Sequence, residues 1–304
     1  MKILRAEHLG MCFGVRDALA LAADEASRGP ATVLGQLVHN EQVLSRLRAQ
    51  GLKLETDLSA VTTHTVVITA HGTSERRLEE VRSTGRRVLD ATCPLVQVAH
   101  RALAGLVQRG YHPVVIGQRD HVEVRGLTGD HPQCDVILSE SDLANLAPRE
   151  KFGVISQTTQ PVDRVRRLVA ALRERFPGIE VAFRDTVCQP TKQRQSAAEA
   201  LAQRCDVVLV LGGAHSNNTR ELVSTCSRYC DRVFHIQTVS DLNEDWLGDG
   251  DTVGLTAGTS TPDDLIHAVE TRLQQLAARA TEPMEFTTFA GSVPQPMAHS
   301  ATAV

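Results

Sequence analysis

Asp90-Ala91-Thr92-Cys93-Pro94 stands between a short apolar run, Val88-Leu89, and a stretch of helical periodicity that begins one residue after the cysteine. Two other cysteines share this setting. After Cys12 a helical pattern runs to Arg28-Gly29, an apolar strand then ends at Gly35, and His39 lies four residues beyond. After Cys93 the helix stops at Arg109-Gly110, the strand ends at Gly117, and His121 lies four residues beyond. After Cys188 the helix stops at Arg204-Cys205, the strand ends at Gly212, and Ser216 lies four residues beyond. The separations from cysteine to strand-end glycine are 23, 24 and 24 residues. This is a threefold internal repeat with a unit of about ninety residues, longer than the usual solenoid periods.

Each unit carries a second strand that runs into polar residues. Residues 66–69 lead to Ala70-His71-Gly72, residues 153–155 to Ser156-Gln157-Thr158-Thr159, and residues 253–256 to Ala257-Gly258-Thr259-Ser260. Strands alternating with amphipathic helices predict an α/β fold. Here it takes the form of three pseudo-threefold-related α/β domains with small, mainly parallel sheets around a central cavity. The expected units are residues 13–93, 94–187, and 188–280 together with 1–12. Residues 281–304, rich in Thr, Ser, Pro and Ala, read as a disordered tail. Units one and two close with strands near Val88 and Val181, whereas unit three lacks a closing strand and residues 3–7 precede Cys12 with no unit before them. The N-terminal strand is therefore expected to complete the third sheet. Residues 117–126 read as a loop.

Three such units fit 304 residues on ordinary domain sizes. A net charge of -4 provides no basic field for nucleic acid or an anionic membrane. The apolar runs are too short to span a bilayer, and the N-terminus has no signal-peptide core, so the expected location is cytoplasmic. Seven cysteines, an odd number spread over a long chain, fit free thiols better than a disulfide framework.

Ligands of open parallel sheets bind beyond the carboxyl ends of the strands, and the residues above all lie there. Three thiolates from three units suit an iron–sulfur cluster, in which three cysteines leave one iron of a cubane free to act as a Lewis acid. Zinc held by three cysteines and one histidine is the competing metal reading. A single free cysteine is ordinarily a small buried hydrophobe, but three at equivalent repeat positions are not accounted for that way. Cys134, Cys205, Cys226 and Cys230 have no such equivalence and read as core. His39, His71 and His121, with Thr158, Thr159, Ser216, Asn217, Asn218 and Ser260, lie in turns that open helices. Hydroxyls and backbone amides in such turns favour an anion such as phosphate. Glu123 is the one carboxylate within these motifs, and a dry cavity would raise its pKa and keep a proton available. Asp90 and Asp185, each three residues before a cysteine, read as braces of their turns.

Gly10-Met11-Cys12-Phe13-Gly14-Val15, Val38-His39-Asn40, Ala70-His71-Gly72, residues 90–96, Ser156-Gln157-Thr158-Thr159, Ser216-Asn217-Asn218 and residues 256–260 together resemble the hydroxymethylbutenyl diphosphate reductase (LytB/IspH) family. The resemblance runs in order from Met1 to about Leu276. It implies reductive removal of the hydroxyl of 4-hydroxy-3-methylbut-2-enyl diphosphate to give isopentenyl and dimethylallyl diphosphates, the last step of the methylerythritol phosphate route to isoprenoids. It implies that Cys12, Cys93 and Cys188 hold a 4Fe-4S cluster with one iron not ligated by protein. It further implies that Glu123, assisted by Thr158 and His121, relays a proton, and that His39, His71, Ser216, Asn218 and Ser260 hold the diphosphate, with His121 near its inner end. A ferredoxin or flavodoxin would supply electrons.

The chain departs from the family pattern at two places. His121-Val122-Glu123 stands where His-Pro-Glu is usual, with Gly126-Leu127 following, and Gln189-Pro190-Thr191 follows the third cysteine where Ala-Thr is usual. Two other readings keep the cluster: a divergent paralogue acting on another allylic diphosphate, and a non-catalytic iron–sulfur redox sensor. Nothing in the chain resembles an effector module, and Glu123, Thr158 and the anion-binding set favour an enzyme.

Overall fold

The computed structural model describes residues 1–279; the tail expected at 281–304 lies outside them. In chain order the elements are β1 (Lys2–Arg5), α1 (Phe13–Arg28), β2 (Ala31–Leu34), α2 (Glu41–Ala49), β3 (Lys53–Glu55), β4 (Thr65–Ile68), α3 (Glu75–Ser83), β5 (Arg87–Asp90) and α4 (Pro94–Gln108). They continue with β6 (His112–Ile116), α5 (Val122–Thr128), β7 (Asp135–Ile137), α6 (Glu140–Ala144), β8 (Lys151–Ser156), α7 (Val162–Arg175), β9 (Glu180–Phe183) and α8 (Gln189–Ala202). Last come β10 (Val207–Leu211), α9 (Asn217–Cys226), β11 (Val233–Ile236), β12 (Thr252–Ala257) and α10 (Asp263–Arg279).

The strands form three four-stranded sheets, ordered β3-β2-β4-β5, β7-β6-β8-β9 and β11-β10-β12-β1. Every strand pair is parallel. β1 lies beside β12, with Ile3 opposite Val253 and Arg5 opposite Leu255. It occupies the edge that β5 and β9 occupy in the other two sheets, as its position before Cys12 predicts. Parallel sheets with helices on both faces are buried on both sides, which is why their strands read as unbroken apolar runs. All five side chains of β10 have no exposure. Each sheet accordingly has a separate apolar cluster on each face: Val67 against α1 and α2, Val66 with Leu78 and Val81; Val114 against α7, Val115 with Leu103; Leu209 against α10, Val208 with Ala198 and Leu222.

Two local differences from the sequence reading have physical causes. Residues 117–126 contain the start of α5 rather than a continuous loop, because His121 Nδ1 accepts the Glu123 amide at 3.1 Å and so caps a helix. The short strands β3, β7 and β11 pair at the outer edge of each sheet, where few side chains are fully buried and the apolar signal is correspondingly weak.

The three sheets are joined by polar contacts between the turns. Asp130, just beyond α5, accepts the amides of Glu75 and Arg76 at 2.8 and 3.0 Å and so caps α3. Asn217 Nδ2 donates to Thr159 O at 3.2 Å, and Arg16 bonds Asp263 at 3.0 Å. The tightest approach is at Gly213, where an added Cβ would stand 2.1 Å from the His39 carbonyl oxygen. Only glycine fits without moving backbone. Gly213→Ala is expected to cost about 1–3 kcal/mol, the usual penalty of overpacking, read as a lower urea midpoint at unchanged m. Wild-type stability in this variant would show that the seam between the first and third sheets yields freely.

Candidate functional site

Cys12, Cys93 and Cys188 follow β1, β5 and β9, the three equivalent edge strands, and each is the residue before a helix. Asp90 Oδ1 accepts the Thr92 amide at 3.0 Å and Asp185 Oδ1 the Val187 amide at 3.1 Å. Both aspartates thus brace the turns that present Cys93 and Cys188. Pro94 and Pro190 stand in the first turns of α4 and α8, where a missing N–H costs no helical bond; the departure at Pro190 is accommodated in this way. Gly14 lies against Cys93, since a Cβ on it would come 2.3 Å from the Cys93 sulfur.

The three thiols line one cavity with His39, His71 and His121. Glu123, Thr158, Thr159, Ser216, Asn217, Asn218 and Ser260 line it as well. The cavity encloses about 660 Å³, part of it open to solvent. Every candidate site residue therefore reaches a single space, drawn from the carboxyl ends of nine strands. Val15, Val38, Leu95 and Val96 form an apolar part of its wall. In the sequence reading these four stand within the quoted motifs without a role in the site. The remaining cysteines lie elsewhere, with Cys226 and Cys230 inside the apolar cluster of the third unit and Cys205 packed against it, and Cys134 packed in the second.

Burial shapes the electrostatics of the cavity. Cys188 is pushed up to about 11 by burial, opposed by the Thr191 hydroxyl 3.1 Å from its sulfur. Cys93 is raised by burial, with its neighbours Cys12 and Glu123 adding repulsion against the amides of Leu95 and Val96. Thr191 had no role in the sequence reading, although a hydroxyl three residues after the cysteine at the N-cap position is placed to reach its thiol.

The imidazoles of His39, His71 and His121 form a triangle with ring centroids 4.4, 5.3 and 5.5 Å apart. Burial lowers His39 to about 4, His121 to about 3 and His71 well below the ordinary value; His39 further lowers the other two rings, His121 lowers His71, and His215 and Arg220 lower His39. They are neutral at pH 7. Because His121 Nδ1 accepts the Glu123 amide, its proton resides on Nε2, a donor left for a ligand. Two buried nitrogens, Nδ1 of His71 and Nδ2 of Asn218, lack a protein partner, while Asn218 Oδ1 is held by the Thr259 amide at 2.9 Å. Unpaired buried polar atoms are rare, and a set of them around one cavity fits a ligand with acceptor oxygens.

Glu123 is 2% exposed. Its Oε1 accepts the Thr158 amide at 2.7 Å and its Oε2 the Thr158 hydroxyl at 3.0 Å. Burial raises it to about 7 against the lowering effect of these bonds. The cap on α5 and the two bonds to Thr158 fix the carboxyl without the proline that Val122 replaces.

The family described as LytB protein matches residues 3–274. A 4-hydroxy-3-methylbut-2-enyl diphosphate reductase of Trichlorobacter lovleyi is 36% identical over 278 residues, covering 91% of this chain and 99% of its own length. The reductase of that name from Aquifex aeolicus is 33% identical over 280 residues, covering 90% of this chain and 96% of its own. Among solved structures, the E-1-hydroxy-2-methyl-but-2-enyl-4-diphosphate reductase of Plasmodium falciparum superposes with a TM-score of 0.85 at 27% identity, covering 90% of this chain and 88% of that one.

Glu123 has a signature that folding itself reports. Its pKa is near 7 in the folded chain against an ordinary 4.5, so between these values the folded state binds more protons than the unfolded state. Stability must then fall as pH rises from about 4.5 through about 7, by about 3 kcal/mol for this group. Urea unfolding of the metal-free protein across this range should show that component in the wild type and not in Glu123→Gln. Parallel pH profiles for the two would contradict the assignment.

Proposed function

The chain belongs to the LytB protein family, and from that membership we propose that it reductively removes the hydroxyl of 4-hydroxy-3-methylbut-2-enyl diphosphate, giving isopentenyl and dimethylallyl diphosphates as the last step of the methylerythritol phosphate pathway. The observation that carries the reading is the meeting of three thiols, three neutral imidazoles and a protonatable buried carboxyl in one cavity.

The cysteines fit an iron–sulfur centre by their own chemistry. Burial and repulsion from Cys12 and Glu123 keep Cys93 and Cys188 protonated in the absence of metal, and binding to iron converts such thiols to thiolates. Among the described residues, only the three imidazoles bring their ligand atoms within 4.8 Å of one another; the thiols surround the cavity without forming so compact a group, which suits a cluster better than a single ion. Cys12, Cys93 and Cys188 would hold a 4Fe-4S cluster with one iron free of protein ligands. When bound, it supplies the reducing electrons and a Lewis-acidic metal.

The protein supplies the remaining functions. The hydroxylated diphosphate, two electrons and two protons yield one product diphosphate and one water, the C–O bond breaking and a C–H bond forming, with the electrons coming from a ferredoxin or flavodoxin. Glu123 is the proton source, about half protonated near pH 7 and more so below it. Once it carries the proton, the Thr158 hydroxyl at 3.0 Å can accept it and pass its own onward, which extends the reach of a carboxyl fixed behind it. The diphosphate is held by His39, His71, Ser216, Asn217, Asn218, Ser260 and Thr159, with Asn218 Nδ2 and the His121 Nε2 proton as free donors. The apolar wall accommodates the allyl carbons and excludes water from them.

The deciding experiment is anaerobic reconstitution with iron and sulfide, followed by assay with reduced viologen and the hydroxylated diphosphate. Formation of the two product diphosphates is expected; a formed cluster without product rejects this reading and leaves the paralogue or sensor. Glu123→Gln should lower turnover by about 10²–10⁴ with the cluster spectrum unchanged. Binding should also take up protons, because the diphosphate raises the pKa of rings that the empty cavity holds neutral. Calorimetry in buffers of different ionisation enthalpy measures this uptake, and identical heats in all buffers would contradict it.

A further inference from the structure

Arg194 lies on α8, six residues after Cys188, and is 7% exposed. Its Nε and Nη2 donate to the Gly10 carbonyl at 2.9 and 2.7 Å, and its Nη1 donates to the Pro190 carbonyl at 2.9 Å. Gly10 comes two residues before Cys12 and Pro190 two residues after Cys188. One guanidinium therefore ties together the turns that carry two of the three thiols.

All three bonds go to neutral carbonyls. Among the described residues no carboxylate pairs with Arg194; the charges that act on it are Cys12 and Cys188, which favour its cationic form, and Arg16, which opposes it. Arg16 itself is half exposed and paired with Asp263 at 2.9 Å. A buried cation without an anion is costly, because carbonyl dipoles replace only part of its hydration. The groups beside it that can become anionic are the thiols, and they do so on binding metal.

We propose that Arg194 is the built-in counter-charge of the cluster, holding the Gly10-Met11-Cys12 turn against α8 and raising the cluster's affinity for electrons. This rests on the reading above that Cys12, Cys93 and Cys188 hold an iron–sulfur cluster. Each electron passed from the donor to the cluster adds one negative charge, and no bond to Arg194 forms or breaks. A fixed cation stabilises the more negative, reduced state more than the oxidised one, and does so strongly where little water screens it. Cluster potentials respond to this kind of local charge. Arg194 is thus a positioning and potential-setting residue rather than one that touches substrate.

The test compares wild type, R194K, R194Q and R194M after anaerobic reconstitution. Midpoint potentials are read by EPR-monitored redox titration, with iron and sulfide per chain and the thermal unfolding of the metal-free proteins measured alongside. R194K should retain the cluster with a reduction equilibrium close to wild type. R194Q and R194M should be reduced at least about tenfold less favourably, a potential about 59 mV more negative for a one-electron couple. A neutral variant with full iron content and the wild-type potential overturns the proposal. If the neutral variants fold but hold no iron, R194K decides: a wild-type potential in R194K supports the role of charge, and loss of the cluster there too overturns it in favour of a purely geometric clamp. A wild type that takes up no cluster overturns the cofactor reading itself, whereas a loaded wild type matched by the neutral variants overturns this inference alone.

Discussion

β1 and β12 meet from opposite ends of the described chain, four residues of each locked in parallel register from Lys2 opposite Thr252 to Arg5 opposite Leu255. This ladder satisfies the edge of β12 that would otherwise be left open, and it places Cys12 at the same strand position as Cys93 and Cys188. Without it the third sheet would present its own turns, Ser216 and Ser260, but no thiol. The sequence distance between the partners makes the pairing a late, non-local contact in folding. Its consequence is that the cavity is completed only when the whole described chain has folded, so that a partly folded chain lacks the third thiol.

Closure creates an electrostatic problem that the site turns to use. The cavity gathers groups of both signs where water is scarce, and burial drives several towards their neutral forms: the imidazoles down, Cys93, Cys188 and Glu123 up. At neutral pH the three imidazoles and these two thiols therefore carry no charge. On the function proposed above, metal would convert the thiols to thiolates, and an anionic substrate would draw protons onto the imidazoles. Glu123 is the exception in degree. Its two bonds from Thr158 lower its pKa while burial raises it, and the balance falls near neutrality, where a proton can be both held and released.

The repeat made most of this visible before any coordinates. Three cysteines at one spacing from three glycines locate three strand–turn–helix units, and parallel sheets concentrate function at one end of their strands, so the thiols and histidines were readable as one site. What escaped was whatever depended on contacts between units. Asp130 caps a helix of another unit, and nothing near it in sequence says so. Residues 117–126 were legible as a functional turn but not as a helix start, because a histidine as N-cap is outside the usual set of Ser, Thr, Asp and Asn. The edge strands β3, β7 and β11 are short and carry few fully buried residues, so periodicity is faint there. Val122, a departure in a motif, reads from sequence as a loosened acid. In the fold the same acid is fixed from the other side by Thr158, at a sequence separation of 35 residues.

Arg194 illustrates the limit best. In a helix rich in Gln and Ala, an arginine reads as solvated surface, and its neighbours Lys192 and Gln195 are less buried than it is. Its burial is imposed by the N-terminal turn, whose Gly10 carbonyl takes two of its donors. Gly10 has a positive φ of 73° and a Cβ there would meet Ile266 at 2.6 Å, so the turn that offers this carbonyl is itself set by contact with α10. Helix α10 thereby shapes the turn, the turn receives the guanidinium, and the guanidinium ties the turn that carries Cys12 to the one that carries Cys188. A charge introduced for binding geometry alone could have been matched by a carboxylate, as Asp263 matches Arg16. On the inference drawn above, the compensating anion arrives with the cofactor.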